Sequence, residues 1–216
     1  MLALFFSPRN VYNLAMDDTI FASLAQLFRK HGFSLFMIGG TSRDFLLNRE
    51  VLDYDFATDA TPEEMKNFLI DADFTFAKYG TIRFRCAEEN VDIVTLREEG
   101  EYLDYRHPES ITYVRDIKKD YVRRDFTINA IYIDCDFVIY DFAGGLKDLK
   151  DGIIRLIGEP EKRIREDPLR ILRAERFADK LHFAIEDKTR AAMEKFRYLL
   201  AKVNPDKIRE EENKRK

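Results

Sequence analysis

Cysteine and histidine are scarce in this 216-residue chain. Its two cysteines, Cys86 and Cys135, both fall in strand-like runs and do not make a disulfide framework or a cysteine-based metal site. Three scattered histidines, His31, His107 and His182, give no zinc-ligand spacing. Long apolar runs are also missing. No segment reaches the roughly 20 residues that span a bilayer. Met1–Phe6 is apolar, yet it is too short for a signal peptide and no positive residues precede it. These absences predict a cytoplasmic chain with no membrane partner. Positive charge is not in excess either: the net charge of −4 argues against a uniformly basic nucleic-acid binder. It leaves room for a local basic groove, and positive residues gather at 115–124, at 163–176 and near the C-terminus. No Walker-type lysine loop is present, so an ATPase fits poorly. No internal repeat is visible.

What is present supports a packed mixed domain. Hydrophobic residues make up 45% of the chain and phenylalanine alone contributes 18, enough to build a core. Ile20, Phe21, Leu24, Leu27 and Phe28 recur at helical spacing, predicting a helix over 17–30 closed by Gly32. Leu35–Ile38 reads as a buried strand. Thr61, Pro62 and Glu64 form a capping box that opens a helix toward Ile70. Residues 81–87 and 91–96 read as a hairpin, and Ile131–Ile133 with Phe137–Tyr140 as a second one. A polar loop runs from Arg97 to Ser110. Residues 161–180 and 187–200 read as long helices, and the charged last ten residues as a fraying end. The composition shift predicts two domains, 1–157 strand-rich and 158–216 helical.

Three constellations carry chemistry. In the first, Gly39 and Gly40 follow the buried strand and let the backbone turn close to a ligand. Arg43 lies one turn on, and a helix starting at Thr41 or Ser42 would aim N–H groups at the same place, which suits phosphate. Asp53 and Asp55 come next, two apart in a strand-like segment, so both carboxylates point one way. Paired carboxylates need a cation between them, and hard oxygen ligands suit Mg²⁺. Two metals about 4 Å apart can stabilise the attacking and leaving oxygens of an in-line phosphoryl displacement. Asp92, on a neighbouring strand, is either a third inward carboxylate or an exposed strand residue.

In the second, Arg123 and Arg124 can bind phosphate oxygens. Asp125 can accept from a ribose hydroxyl, and Asn129 lies one helical turn on. The alternative is a helix N-terminus with Asp125 as cap and the arginines exposed. The third is the run from Arg163 to Phe177. On a continuous helix Asp167 and Arg170 are i, i+3 neighbours on the inward face. They are then either a buried ion pair or an acceptor beside a donor. That pairing matches the amino group and ring nitrogen of cytosine and of adenine. Uracil and guanine would leave buried groups unpaired, costing about 1–3 kcal/mol per group. Arg173 stays close to this face. Arg176 has turned about 180° from Asp167 and serves triphosphate contacts or structure.

With these residues in view, the chain resembles the class II tRNA nucleotidyltransferase and bacterial poly(A) polymerase family, most of all the bacterial CCA-adding enzymes. Gly39-Gly-Thr-Ser-Arg-Asp44 with Asp53-Tyr-Asp55 matches the family's metal motif. Arg123-Arg-Asp-Phe-Thr-Ile-Asn-Ala130 matches its ribose motif, and Asp141-Phe-Ala-Gly-Gly-Leu-Lys-Asp148 its hinge motif. Glu166-Asp-Pro-Leu-Arg-Ile-Leu-Arg-Ala-Glu-Arg-Phe177 matches its nucleotide-selecting motif. Ser42 departs from the family, which usually has an apolar residue there.

The resemblance implies an α/β (α+β) nucleotidyltransferase head, with a mixed sheet and flanking helices, followed by an all-helical neck. It implies Mg²⁺ on Asp53 and Asp55, nucleotide contacts from Gly40, Arg43 and Arg124, and a ribose contact from Asp125. Asp167 and Arg170 become the protein template for the base, with Arg173 and Arg176 completing the nucleotide site. Residues 97–108 resemble a flexible loop linked to the change from C to A addition. The reaction implied is addition of C and A from CTP and ATP to the tRNA 3′ end. An A-only or poly(A)-adding relative carries the same motifs, and a nucleotide- or RNA-binding module without turnover is the rival from another class. The family's chain continues past residue 216 into helical body and tail domains that hold tRNA. Weak tRNA affinity, or help from a partner, is therefore expected.

Overall fold

The computed structural model describes residues 19–86, 89–102, 105 and 108–215; Met1–Phe6 lies outside them. The chain forms two compact units. One runs to Arg97 and takes up Tyr113–Asp120 and Ile131–Phe142; the other comprises Glu98–Thr112, Tyr121–Ala130 and the chain from Ala143 onward.

The first unit is built on a six-stranded mixed sheet. Its strands are β1 (Leu35–Met37), β2 (Tyr54–Thr58), β3 (Thr81–Cys86), β4 (Glu89–Thr95), β7 (Ile131–Ile133) and β8 (Ile139–Asp141), in the order β3-β4-β2-β1-β7-β8. The β2/β4 pair is parallel and the other pairs are antiparallel; elsewhere in the chain β5 (Arg97–Glu99) and β6 (Ile111–Tyr113) form a separate two-stranded sheet, followed by the short helix α4 (Ile117–Asp120). Helix α1 (Thr19–Lys30) supplies one side of the core. Phe21, Leu24, Ala25 and Phe28 are buried on its inner face, and the Phe21 ring meets Phe56 of β2 at 5.3 Å. Each fully buried phenylalanine contributes about 1.5–3 kcal/mol by leaving water. Gly32 ends α1 with φ +83°, the left-handed turn a side chain resists.

Both predicted hairpins form. The capping box also forms: the Thr61 side chain accepts from Glu64 N–H while the Glu64 carboxylate accepts from Thr61 N–H. The helix it opens, α3 (Pro62–Met65), is shorter than expected. Beyond it the chain tightens into three-residue turns, Asn67 N–H to Glu64 and Phe68 N–H to Met65, instead of continuing to Ile70. Between them α2 (Gly39–Leu46) starts two residues earlier than expected, directly after Ile38.

The second unit holds α5 (Gly145–Asp151), β9 (Ile153–Ile154), α6 (Pro160–Glu166), α7 (Leu169–Leu181), β10 (Ala184–Ile185), α8 (Asp187–Phe196) and α9 (Pro205–Asn213). Helices dominate after Pro160, with the two-residue β10 pairing parallel to β9. The long helix expected over 161–180 is broken. Asp167 is extended, φ −146° and ψ 97°, because a residue before proline is driven out of the helical region and Pro168 follows. Residues 187–200 are an α-helix only to Phe196 and continue as a 3₁₀ turn, Arg197–Lys202. Of the last ten residues, those up to Asn213 are helical. Asn204 caps α9 by accepting from Asp206 N–H at 2.9 Å, and Leu200 and Ile208 join Leu169, Leu172 and Val203 in an apolar cluster.

The candidate nucleotidyltransfer site

At the Gly39 corner of the first unit, the main chain and one hydroxyl hold the segment that carries Asp55: Ile38 N–H donates to the Asp55 carbonyl at 3.2 Å. Gly39 has φ +62°, and a Cβ built on it would lie 3.3 Å from Asp55 Oδ2. The carboxylate therefore rests against bare backbone. Helix α2 begins after Ile38, which offers no side-chain cap. An apolar N-cap leaves the first-turn N–H groups to an outside acceptor, the arrangement that binds anions. Thr41 clips the two aspartates to this turn. Its hydroxyl donates to the Asp53 carbonyl at 2.9 Å and accepts from Asp55 N–H at 2.7 Å.

Asp53 is exposed in a bend just before β2, and Asp55 is half-buried within it. Carboxylate oxygens are the ligand type that suits a hard divalent cation. Arg43 is buried and forks onto its neighbour Asp44, Nε to Oδ1 at 2.9 Å and Nη2 to Oδ2 at 2.8 Å. Its Nη2 lies 3.6 Å from the point a Gly40 Cβ would occupy, so its charge underlies the glycine turn.

Asp92 stands opposite Asp55 across the parallel β2/β4 pair. Both its oxygens are engaged by Arg83, Nε to Oδ1 at 2.8 Å and Nη2 to Oδ2 at 3.1 Å. Among the described residues, no three carboxylate, histidine or cysteine groups converge as a metal cluster.

In the second unit the polar residues are fixed by one another. Asp125 is buried. Its Oδ1 accepts from Phe126 N–H at 2.7 Å and lies 3.5 Å from Asn129 Nδ2, and Arg173 Nη2 sits 2.5 Å from Oδ2. Asn129 does lie beside Asp125 as the four-residue spacing implied, although a 3₁₀ turn, Thr127–Asn129, brings it there. Burial pushes the Asp125 carboxyl upward, but Arg173, the Phe126 N–H, Arg170 and Asn129 together hold it below its ordinary value.

Arg163 donates to the carbonyls of Arg123 and Arg124 at 2.7 and 2.8 Å and to Glu166 at 2.5 Å. Burial lowers the pKa of this guanidinium. Arg170 donates to the Arg163 carbonyl at 2.5 Å and to Glu166 at 3.2 Å. Asp167, which the break at Pro168 removes from the helix, accepts from Leu169 N–H at 3.1 Å, so the i, i+3 helical arithmetic does not apply to it. Arg176 lies 3.1 Å from Glu211 of α9 and 4.3 Å from the Phe177 ring centroid.

Sequence reasoning gave no role to Arg163, Glu166 or Tyr102. The Tyr102 hydroxyl donates to Glu99, its ring lies 5.9 Å from the Arg170 guanidinium, and Glu99 is 3.6 Å from Arg123. Burial and then the Glu99 charge raise the Tyr102 pKa well above that of a free phenol, so it stays a donor at neutral pH. The hinge motif is anchored through Asp148, which accepts from the Thr127 hydroxyl at 2.7 Å and from Arg155 Nε at 2.9 Å.

The pattern of the poly A polymerase head domain matches residues 35–155. The chain belongs to the poly A polymerase head-domain family. This head domain is similar to the CCA-adding enzyme of Lactobacillus helveticus, with 42% identity over 186 residues, covering 86% of this chain and 47% of that protein. Among solved structures it is similar to the Bacillus stearothermophilus CCA-adding enzyme in complex with CTP. There the TM-score is 0.82 and the identity 34%, covering 90% of this chain and 47% of that one. It is also similar to a tRNA nucleotidyltransferase complexed with a primer tRNA and an incoming ATP analog. For that match the TM-score is 0.66 and the identity 32%, covering 82% and 50% of the two chains. The α/β head fold with its mixed sheet and flanking helices is thus the family's own. The chain spans about half the length of the curated relatives it matches. Among the described residues no helix is long and apolar enough to cross a membrane.

Proposed function

We propose that this chain performs the nucleotidyl transfer of a cytoplasmic CCA-adding tRNA nucleotidyltransferase, joining C and A from CTP and ATP to the tRNA 3′ end. The observation that carries this reading is the corner at which left-handed Gly39 backs onto Asp55 and Thr41 ties Asp53 to Asp55. Asp53 and Asp55 would hold Mg²⁺, which when bound supplies charge stabilisation at the attacking 3′ oxygen and the departing pyrophosphate. The first-turn N–H groups of Gly39 and Gly40, with Arg43 beneath them, take the triphosphate.

Arg124 adds a phosphate contact, and Asp125, kept ionised, accepts from the ribose, with Asn129 beside it. Asp167 accepts from the base amino group and Arg170 donates to the adjacent ring nitrogen, which admits C and A and disfavours U and G. Arg173 orients Asp125. Of the two readings of Arg176, its contact with Glu211 supports the structural one. Asp92 is the third carboxylate on this sheet face.

The test is incubation with each labelled nucleotide and tRNAs ending at the discriminator, after the first C or after the second C. Incorporation of C and A with little U or G is expected. Failure with every tRNA end sinks the proposal, and incorporation of A alone would make the chain an A-adding relative. A head that binds CTP and ATP without releasing pyrophosphate would be a module that needs further segments for turnover.

A further inference from the structure

Three strands set Asp55, Asp92 and Arg83 in one row. Asp55 pairs in register with Asp92 across β2/β4, and Asp92 with Arg83 across β4/β3. Their chain neighbours Phe56, Ile93 and Ile82 are core residues, so the alternation of a strand puts all three on the opposite face. Adjacent strands lie about 4.8 Å apart, which makes Asp92 the nearest carboxylate in that row to the Asp55 corner. It is nonetheless spanned by the Arg83 fork on both oxygens, and no three-ligand cluster forms among the described residues. The pair is accessible: the Arg83 side chain is 53% exposed and that of Asp92 33%. An exposed pair of this kind is worth about 0.2–1 kcal/mol and can exchange its partner.

We propose that Arg83 is a positioning residue that holds the Asp92 carboxylate away from the divalent-cation site at Asp55, and so sets the affinity and ligand number of that site. The inference rests on the reading of Asp53 and Asp55 as cation ligands. Arg83 does not touch the reacting atoms in it. Without the fork, Asp92 turns toward Asp55 and adds a third hard oxygen ligand.

Calorimetric titration of the whole chain with Mn²⁺, without nucleotide, reads this directly. Arg83→Gln is expected to tighten Mn²⁺ binding by up to about fivefold, the most that releasing an exposed pair supplies. In an Asp92→Asn background the same Arg83→Gln change should leave Mn²⁺ affinity unchanged. Unchanged or weaker binding by Arg83→Gln overturns the proposal. So does an equal tightening by Arg83→Gln in the Asp92→Asn background, because loss of one positive charge would then suffice. Asp55→Asn separates the two levels. If it leaves Mn²⁺ binding intact, the cation-site reading fails and the inference with it. If it abolishes binding while Arg83→Gln has no effect, only the role of Arg83 fails. Circular dichroism of each variant establishes that the titrated protein is folded.

Discussion

At the Gly39 corner, polar groups are fixed by main chain and one threonine hydroxyl over a sequence separation of 14. Around Asp125 they are fixed by guanidinium groups, with separations of 39 and 40 between Arg163 and the carbonyls it grips. The first arrangement is rigid because the backbone has few alternatives there. The second is rigid only while every charge has its counterpart, since a buried ion left alone is costly. The two ends should therefore fail differently: one by small steric change with the fold intact, the other by loss of charge with loss of stability.

The largest expected effect lies at the first end. Asp55→Ala should lower nucleotide incorporation at least about a hundredfold, the scale of removing one electrostatic contact to the transition state. The unfolding midpoint should hardly move, as Asp55 is half-buried on the face away from the core. Labelled incorporation and urea unfolding on one preparation check both halves, and retained activity would take Asp55 out of the metal site. Arg163→Met is the counterpart at the second end. It leaves Glu166 only its longer contact with Arg170 at 3.2 Å and takes the Arg163 donor from two carbonyls, and should cost about 3 kcal/mol of stability, within the range for breaking a buried pair. A loss under about 1 kcal/mol in urea unfolding would break the contrast between the two ends.

Glycine gives a finer comparison. Gly39 and Gly144 both have positive φ, +62° and +77°, so alanine at either costs about 1–2 kcal/mol of backbone strain. A Cβ on Gly144 meets nothing within 4 Å, whereas one on Gly39 presses on Asp55 Oδ2 at 3.3 Å. Gly39→Ala should therefore weaken Mn²⁺ binding severalfold while Gly144→Ala leaves it unchanged. Equal metal affinities in the two variants would mean that the close approach at Gly39 does not shape the site.

The same difference explains what could be read from the sequence. The Gly-Gly turn, the Thr61/Glu64 capping box and both hairpins depend on residues close in the chain, and each was legible. Asn129 beside Asp125 was legible too, since a spacing of four brings residues together in α-helix and, here, across a 3₁₀ turn. The bend at Asp167 had its signal in Pro168, which the reading of residues 161–180 as one helix overrode. Arg163 had no signal, because its partners are carbonyls, and any residue type at 123 and 124 would present them. The Arg83 fork on Asp92 needed the β3/β4 register, which one residue of slippage would have erased. The two interleaved units follow from pairings across long separations, and a composition shift along the chain does not carry that information.

The smallest effect tests the electrostatic character of the second end. The folded pKa of Asp125 lies below its unfolded value, so its ionised form stabilises the fold. That contribution is complete above the unfolded carboxylate pKa of about 3.9 and is lost as pH falls through the folded value. In Asp125→Asn the group cannot titrate. Stability measured from pH 6 downward should then fall less steeply below about pH 4 than in the unmodified chain. Parallel acid profiles for Asp125→Asn and the unmodified chain would mean that Arg173 does not outweigh the burial of Asp125. The second end would then be held, like the first, by hydrogen bonds and packing instead of charge.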